Sequence, residues 1–143
     1  MTTFNRLAVS KRTLQSLLNT ITGDYYLVIV DNASTDGTIK WIRSNEHPAN
    51  LKILNDENLH IGGATNRGWE RGLLHYPEAD LLMQLDNDFE FEPGWTDTAY
   101  DYFIKIPKLG QLGFNHELVE NAPSTEAMEV RYDLDSEIGR AHV

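Results

Sequence analysis

The sequence contains no cysteine. Disulfides, thiolate metal sites and cysteine nucleophiles are excluded, while the compartment stays open. Positive charge is also scarce: 12 Lys and Arg face 22 Asp and Glu, for a net charge of −10. The basic residues are scattered, with no run that tracks phosphates, so nucleic acid and anionic membrane surfaces are disfavoured partners. An anionic ligand on such a chain needs a cation or backbone donors to hold it. No apolar stretch approaches the ~20 residues of a membrane span, and the N-terminus lacks the apolar core of a signal peptide. These absences point to a soluble protein of the cytoplasm. What is present is ordinary for a globular chain, with 41% hydrophobic and 24% charged residues over 143 positions. That length fits a single domain, 1–143, with a real core.

Residues 10–21 place Leu14, Leu17, Leu18 and Ile21 at helical spacing, which predicts an amphipathic helix with Ser10 as N-cap. The run YYLVIV (25–30) reads as a strand covered on both faces. DNASTDGT (31–38) is turn chemistry, and residues 38–45 read as a short helix. LKIL (51–54) is a second strand, followed by a polar loop with glycines over 55–63. Residues 64–75 predict a helix whose Ala64, Gly68 and Gly72 form a small-residue stripe, suited to close approach to a sheet or ligand. LLMQL (81–85) predicts a third buried strand. Trp95 to Ile106 predicts a helix ended by Pro107, and 109–114 a further strand; 115–143 shows no clear period. Strands alternating with helices define the fold class: α/β, with a mostly parallel sheet flanked by helices.

Ligands of open α/β sheets bind beyond the carboxyl ends of the strands. Two acidic segments stand there: Asp31 directly after the 25–30 run, and Asp86 directly after LLMQL. If those strands are neighbours, the acids converge on one crevice. Asp86 and Asp88 are two apart, so in extended chain they share a face. Paired hard oxygens without cysteine suit Mg²⁺ or Mn²⁺, with a substrate phosphate completing the shell. The plainer reading is a solvated strand end, and DNASTDGT taken alone is simply a turn. Gly62 and Gly63 permit close backbone approach, but neither G-x-G-x-x-G nor a P-loop is present.

Four segments together carry a resemblance. TFNR (3–6), VIVDNASTDGT (28–38), NLHIGGATNRG (58–68) and LLMQLDNDFEFEPGW (81–95) occur in the order and rough spacing of family 2 glycosyltransferases of the GT-A fold. The resemblance implies inverting transfer of a sugar from a nucleotide diphosphate donor to an acceptor. Asp86-Asn87-Asp88 resembles the family's D-x-D, with Asp88 as the metal ligand and Asp86 beside the donor ribose or sugar. Asp31 matches the acid that contacts the donor base, and Thr2 or Thr3 the lining of the base pocket. Asn66 and Arg67 match the segment beside the nucleotide, Arg67 toward the phosphates. Three departures accompany the match. Met1 stands where most of an opening strand is expected, His60 stands where glycine is common, and the later half with the acceptor site and general base is missing. Asp133, Asp135 and Glu137 are candidates for that base, with a solvated acidic loop as the alternative. The chain then reads as the nucleotide-binding half of a longer or trimmed enzyme.

Competing readings are a metal-dependent nucleotidyltransferase and a non-catalytic nucleotide- or metal-binding module. The first wants a glycine-rich basic loop after the first strand, and FNRLAVSKR has no glycine. A receiver-like module wants a lysine after a late strand, whereas Lys105 and Lys108 lie on or just after a helix.

Overall fold

The computed structural model describes residues 1–44, 46–113, 131–132 and 141–142. They fall into two units, Met1–Trp95 and Thr96–Val143. The first holds a three-stranded parallel sheet of order β1-β2-β3, with β1 at Thr2–Thr3, β2 at Val28–Asp31 and β3 at Leu51–Leu54. Helices α1 (Leu7–Thr20), α2 (Thr38–Arg43) and α3 (His60–His75) connect and cover it. The second unit contains α4, entered at Trp95 and running to Lys105, and a two-stranded antiparallel pair, β4 (Arg131–Tyr132) with β5 (Ala141–His142).

The central strand β2 is buried on both faces, as a continuous apolar run requires. Ile29 joins Leu14 and Leu17 of α1, Trp41 and Ile42 of α2, and Leu85 in one core cluster. Val28 and Val30 face α3 instead. A Cβ built on Gly68 would lie 3.0 Å from Val30 Cγ2, and one on Gly72 3.2 Å from Val28 Cγ2. Ala64, on the same stripe, is fully buried. The small-residue stripe therefore lets α3 press against β2, as its spacing predicted.

Five expectations need correction. Ser10 is not an N-cap: α1 begins three residues earlier, with Arg6 at the cap position. Its first turn is satisfied from outside, because the Asp36 carboxylate accepts from Leu7 N at 3.0 Å. The strand over 25–30 starts only at Val28, and Tyr26 leaves the sheet to stack on Tyr76. α3 starts at His60, so Gly62 and Gly63 belong to its first turn rather than to a loop. Finally, LLMQL forms no strand. Leu81, Leu82 and Met83 are each at least 40% exposed, and only Leu85 is buried. Its carbonyl accepts from Thr2 N at 3.0 Å, and the two-residue β1 offers little more to pair with. Residues 109–113 also form no strand; residue 114 lies outside the described residues.

Asp36 joins two helix starts. Its other oxygen accepts from the Thr38 hydroxyl at 2.6 Å and Thr38 N at 3.1 Å, in the first turn of α2. The Thr38 hydroxyl, then the Leu7 amide, hold its carboxyl below the usual carboxylate range. Replacing Asp36 with alanine is expected to cost about 1–2 kcal/mol, read from the urea midpoint. Because the folded-state carboxyl is depressed, this contribution is present above the ordinary carboxylate pKa. It is lost as pH falls through the folded value, so wild type and variant converge in acid.

Candidate functional site

At the carboxyl end of β1, side chains of β1, α1 and the acidic loop form a connected polar network. Thr3, last in β1, shares a 2.9 Å hydrogen bond with the Ser10 hydroxyl of α1. The Asn87 amide donates to both, at 3.2 Å to Thr3 Oγ1 and 2.9 Å to Ser10 Oγ. Thr13 Oγ1 donates to the Asn87 carbonyl at 2.9 Å. Further along α1, Ser16 Oγ accepts from Phe91 N at 2.7 Å, and Thr20 Oγ1 accepts from the Trp95 indole at 3.1 Å. A row of α1 hydroxyls thus clamps residues 87–95 alongside the helix. Sequence reasoning missed this row, since Ser and Thr between leucines read as a solvated face.

The clamp sets the acids. Asn87 and Asp88 lie in a turn, not in extended chain, so the shared-face argument for Asp86 and Asp88 does not apply. Asp88 is exposed and pairs with Arg6 at 2.9 Å. Asp86 is half-buried, and its charge acts on the Met1 amine, opposing the depression of that group by burial. Among the described residues, no three His, Cys, Asp or Glu side chains converge as a metal set. Two carboxylates flanking a fixed asparagine still match a hard divalent ion, which keeps waters and takes phosphate oxygens. Asp88 would have to leave Arg6, and an exposed pair of that kind contributes only about 0–1 kcal/mol.

Asp31 ends β2 and is wholly buried. One oxygen accepts from Ser34 N at 2.9 Å, while the other has no partner among the described residues. A buried carboxylate oxygen left unpaired is costly, and an ordered water, an ion or a ligand N–H would satisfy it. β1 lies between β2 and Leu85, so Asp31 and Asp86 do not end neighbouring strands. Around Asp31 the backbone is strained. Asn5, Arg6 and Ala33 hold φ of 56, 62 and 67°, and His60 57°. Such outliers gather where binding has to be arranged. Asn5 and Ser34 tie the two loops, Asn5 N donating to Ser34 Oγ at 2.7 Å and Thr35 N to Asn5 Oδ1 at 2.7 Å. Asn32, which with Asp31 forms a strand-end pair able in principle to accept from and donate to a base edge, spends its side chain on the next loop through Asn55, Asn58 and Leu59 N.

The model of glycosyl transferase family 2 matches residues 1–126. The chain belongs to that family. No curated protein and no solved structure matches it. Membership accounts for the parallel sheet and flanking helices, and establishes a glycosyltransferase domain. In this family 2 domain Thr2 is half-buried, whereas Thr3 commits its hydroxyl inward to the clamp. Asn66 is exposed on α3, and Arg67 lines a groove beside β3. Asp133, Asp135 and Glu137 lie outside the described residues. Among the described residues, no helix is long and apolar enough to cross a membrane.

Proposed function

We propose that the chain holds the nucleotide diphosphate of a sugar donor at the carboxyl ends of β1 and β2, for metal-dependent, inverting transfer to an acceptor. The reading rests above all on Asp31, a buried strand-end carboxylate with one unpaired oxygen. A carboxylate accepts only, so it favours bases with a ring N–H on the pairing edge, uracil, thymine or guanine; adenine and cytosine also offer an amine there, but set a bare, repelling ring nitrogen beside it. Asp31 is covered, so the strained turns at Asn5–Arg6 and Ala33 have to give way for the base to reach it. Thr2 and Asn66 are assigned to the donor by the family resemblance alone. Asp88, with Asp86, would hold Mg²⁺ or Mn²⁺ on the diphosphate, where a cation stabilises the charge of the departing group. Arg67 takes no part in this scheme, since its side chain lines the β3 groove.

Thermal shift with UDP, dTDP, GDP, ADP and CDP, each with and without MnCl₂, tests the reading. A ligand at 100 times its Kd adds about 2.7 kcal/mol to stability. Stabilisation is expected for the first three nucleotides and is expected to grow with Mn²⁺. Asp88→Ala is expected to remove the metal increment and leave the metal-free response. If no nucleotide diphosphate stabilises a folded sample in the presence of Mn²⁺, the proposal fails.

A further inference from the structure

Beside β3, on the sheet edge opposite Leu85, runs a groove of about 340 Å³. Its floor is Leu51–Leu54, and Arg67, Arg71 and His75 of α3 form its wall. No carboxylate lines it, in a chain whose acids outnumber its Lys and Arg by ten, 22 against 12. Arg6, Lys11 and Lys105 each sit in an ion pair, whereas Arg67, Arg71 and His75 sit in none among the described residues. Lys52 contributes strand backbone to the groove, while its side chain turns to the α2 face of the sheet, its ammonium anchored on Ser44 O at 2.7 Å. Like charges four residues apart on a helix oppose each other, so this row is destabilising until an anion meets it.

The outer edge of β3 is also open. Leu51 N and Asn55 N bond inward, to Leu27 O and Asp31 O. By alternation, the N–H groups of Lys52 and Leu54 point outward, and no strand pairs with that edge among the described residues. Spacing joins the two observations. Residues i and i+4 of a helix lie about 6 Å apart along its axis. Alternate residues of a strand lie about 6.6 Å apart.

We propose that this groove binds an extended acidic peptide of a partner protein, which adds a strand to β3 and sets carboxylates at every second position against Arg67, Arg71 and His75. The backbone pairing supplies affinity and the row of cations supplies register. The inference is independent of the donor site, which lies at the strand ends and toward the other edge of the sheet.

Fluorescence anisotropy with a labelled seven-residue peptide, glutamates alternating with valines, tests it on the full chain. Saturable binding is expected, weakened about tenfold or more by Arg71→Glu and by shuffling the glutamates into one block, and preserved by Arg71→Lys. N-methylation of the whole peptide backbone, which removes the edge donors whichever way the strand runs, is also expected to abolish it. Absence of binding overturns the proposal. So does equal affinity for the block peptide, or full displacement by inorganic pyrophosphate at matched charge, which would mark a small-anion site. Circular dichroism melts of the Arg71 variants confirm that the exposed substitutions leave the fold intact.

Discussion

Replacing Gly68 with valine is expected to be the most damaging single change in α3, lowering stability by about 3 kcal/mol through overpacking. The first added carbon would stand 3.0 Å from Val30 Cγ2. Val30 is buried in the central strand, so it cannot swing aside as a long surface side chain would. The helix must lift, which also loosens Ala64 and Gly72 from the sheet. Alanine at the same position gains about 1 kcal/mol of helix propensity over glycine, so Gly68→Ala is expected to lose less than Gly68→Val. Gly62 supplies the control. It lies on the same helix with nothing within 4 Å of an added Cβ, so Gly62→Ala is expected to stabilise. Urea denaturation of the three variants separates contact from propensity. Equal destabilisation at positions 62 and 68 would remove the close-approach account. In a double-mutant cycle, Val30→Ala is expected to recover part of the Gly68→Val loss, since the two sites share one contact.

For the 143-residue chain with a free amine at Met1, stability is expected to climb steeply between pH 5 and pH 8. The α-amino group of Met1 is buried and donates to Val28 O at 2.7 Å, extending the β1–β2 pairing by one bond. Burial lowers its pKa from 8.0 to about 5, with the Asp86 charge opposing the drop. For a base whose folded pKa is depressed, the unfolded chain binds more protons across the interval between the two values. Stability therefore rises with pH through that window, is complete above pH 8, and is lost as pH falls toward 5. Three pH units correspond to a loss on the order of 4 kcal/mol. His47 acts in the same sense below its ordinary pKa, because burial, then Lys52, lowers it. Melting temperatures at half-unit steps measure the slope. A chain extended by a few residues ahead of Met1 carries no amine at that place and is expected to keep only the His47 portion. A slope unchanged by the extension would assign the effect elsewhere. Asp86→Asn removes the opposing attraction and is expected to deepen the loss in acid.

The parts of this fold that were legible in the sequence are those fixed by one local pattern. LKIL became β3 without adjustment, being a short apolar run with turn chemistry on both sides. Ala64, Gly68 and Gly72 predicted close approach because small residues at helical spacing serve little else. LLMQL shows the limit: apolarity tells that a segment avoids water, not that a neighbouring strand is long enough to pair with it. The acids at 86 and 88 were visible, but their setting was not. Asn87 is held by residues 74 to 84 positions away, and no local period encodes such bonds. The basic groove escaped for a related reason. The β3 edge and Arg71 stand on different elements, so the open strand and the cations beside it become adjacent only when α3 folds back on the sheet.

The triplet Asp86-Asn87-Asp88 has a middle member whose identity follows from the direction of protons. Asn87 gives two hydrogens, one to each of two hydroxyls, so the hydroxyl pair keeps its own two protons: one closes the 2.9 Å Thr3–Ser10 bond, and the other is offered to Asn5 O or Arg6 O at 3.3 Å. A carboxylate has nearly the same outline but nothing to give. Aspartate at 87 would draw hydroxyl protons to itself and break the circuit beside Asn5 and Arg6, the two residues already held in left-handed backbone, although Arg6 O keeps its bonds from Val9 N and Ser10 N. The amide is therefore chosen by polarity of donation rather than by shape: its side chain sends hydrogens from the acidic loop into β1 and α1, while its backbone carbonyl takes one back from Thr13.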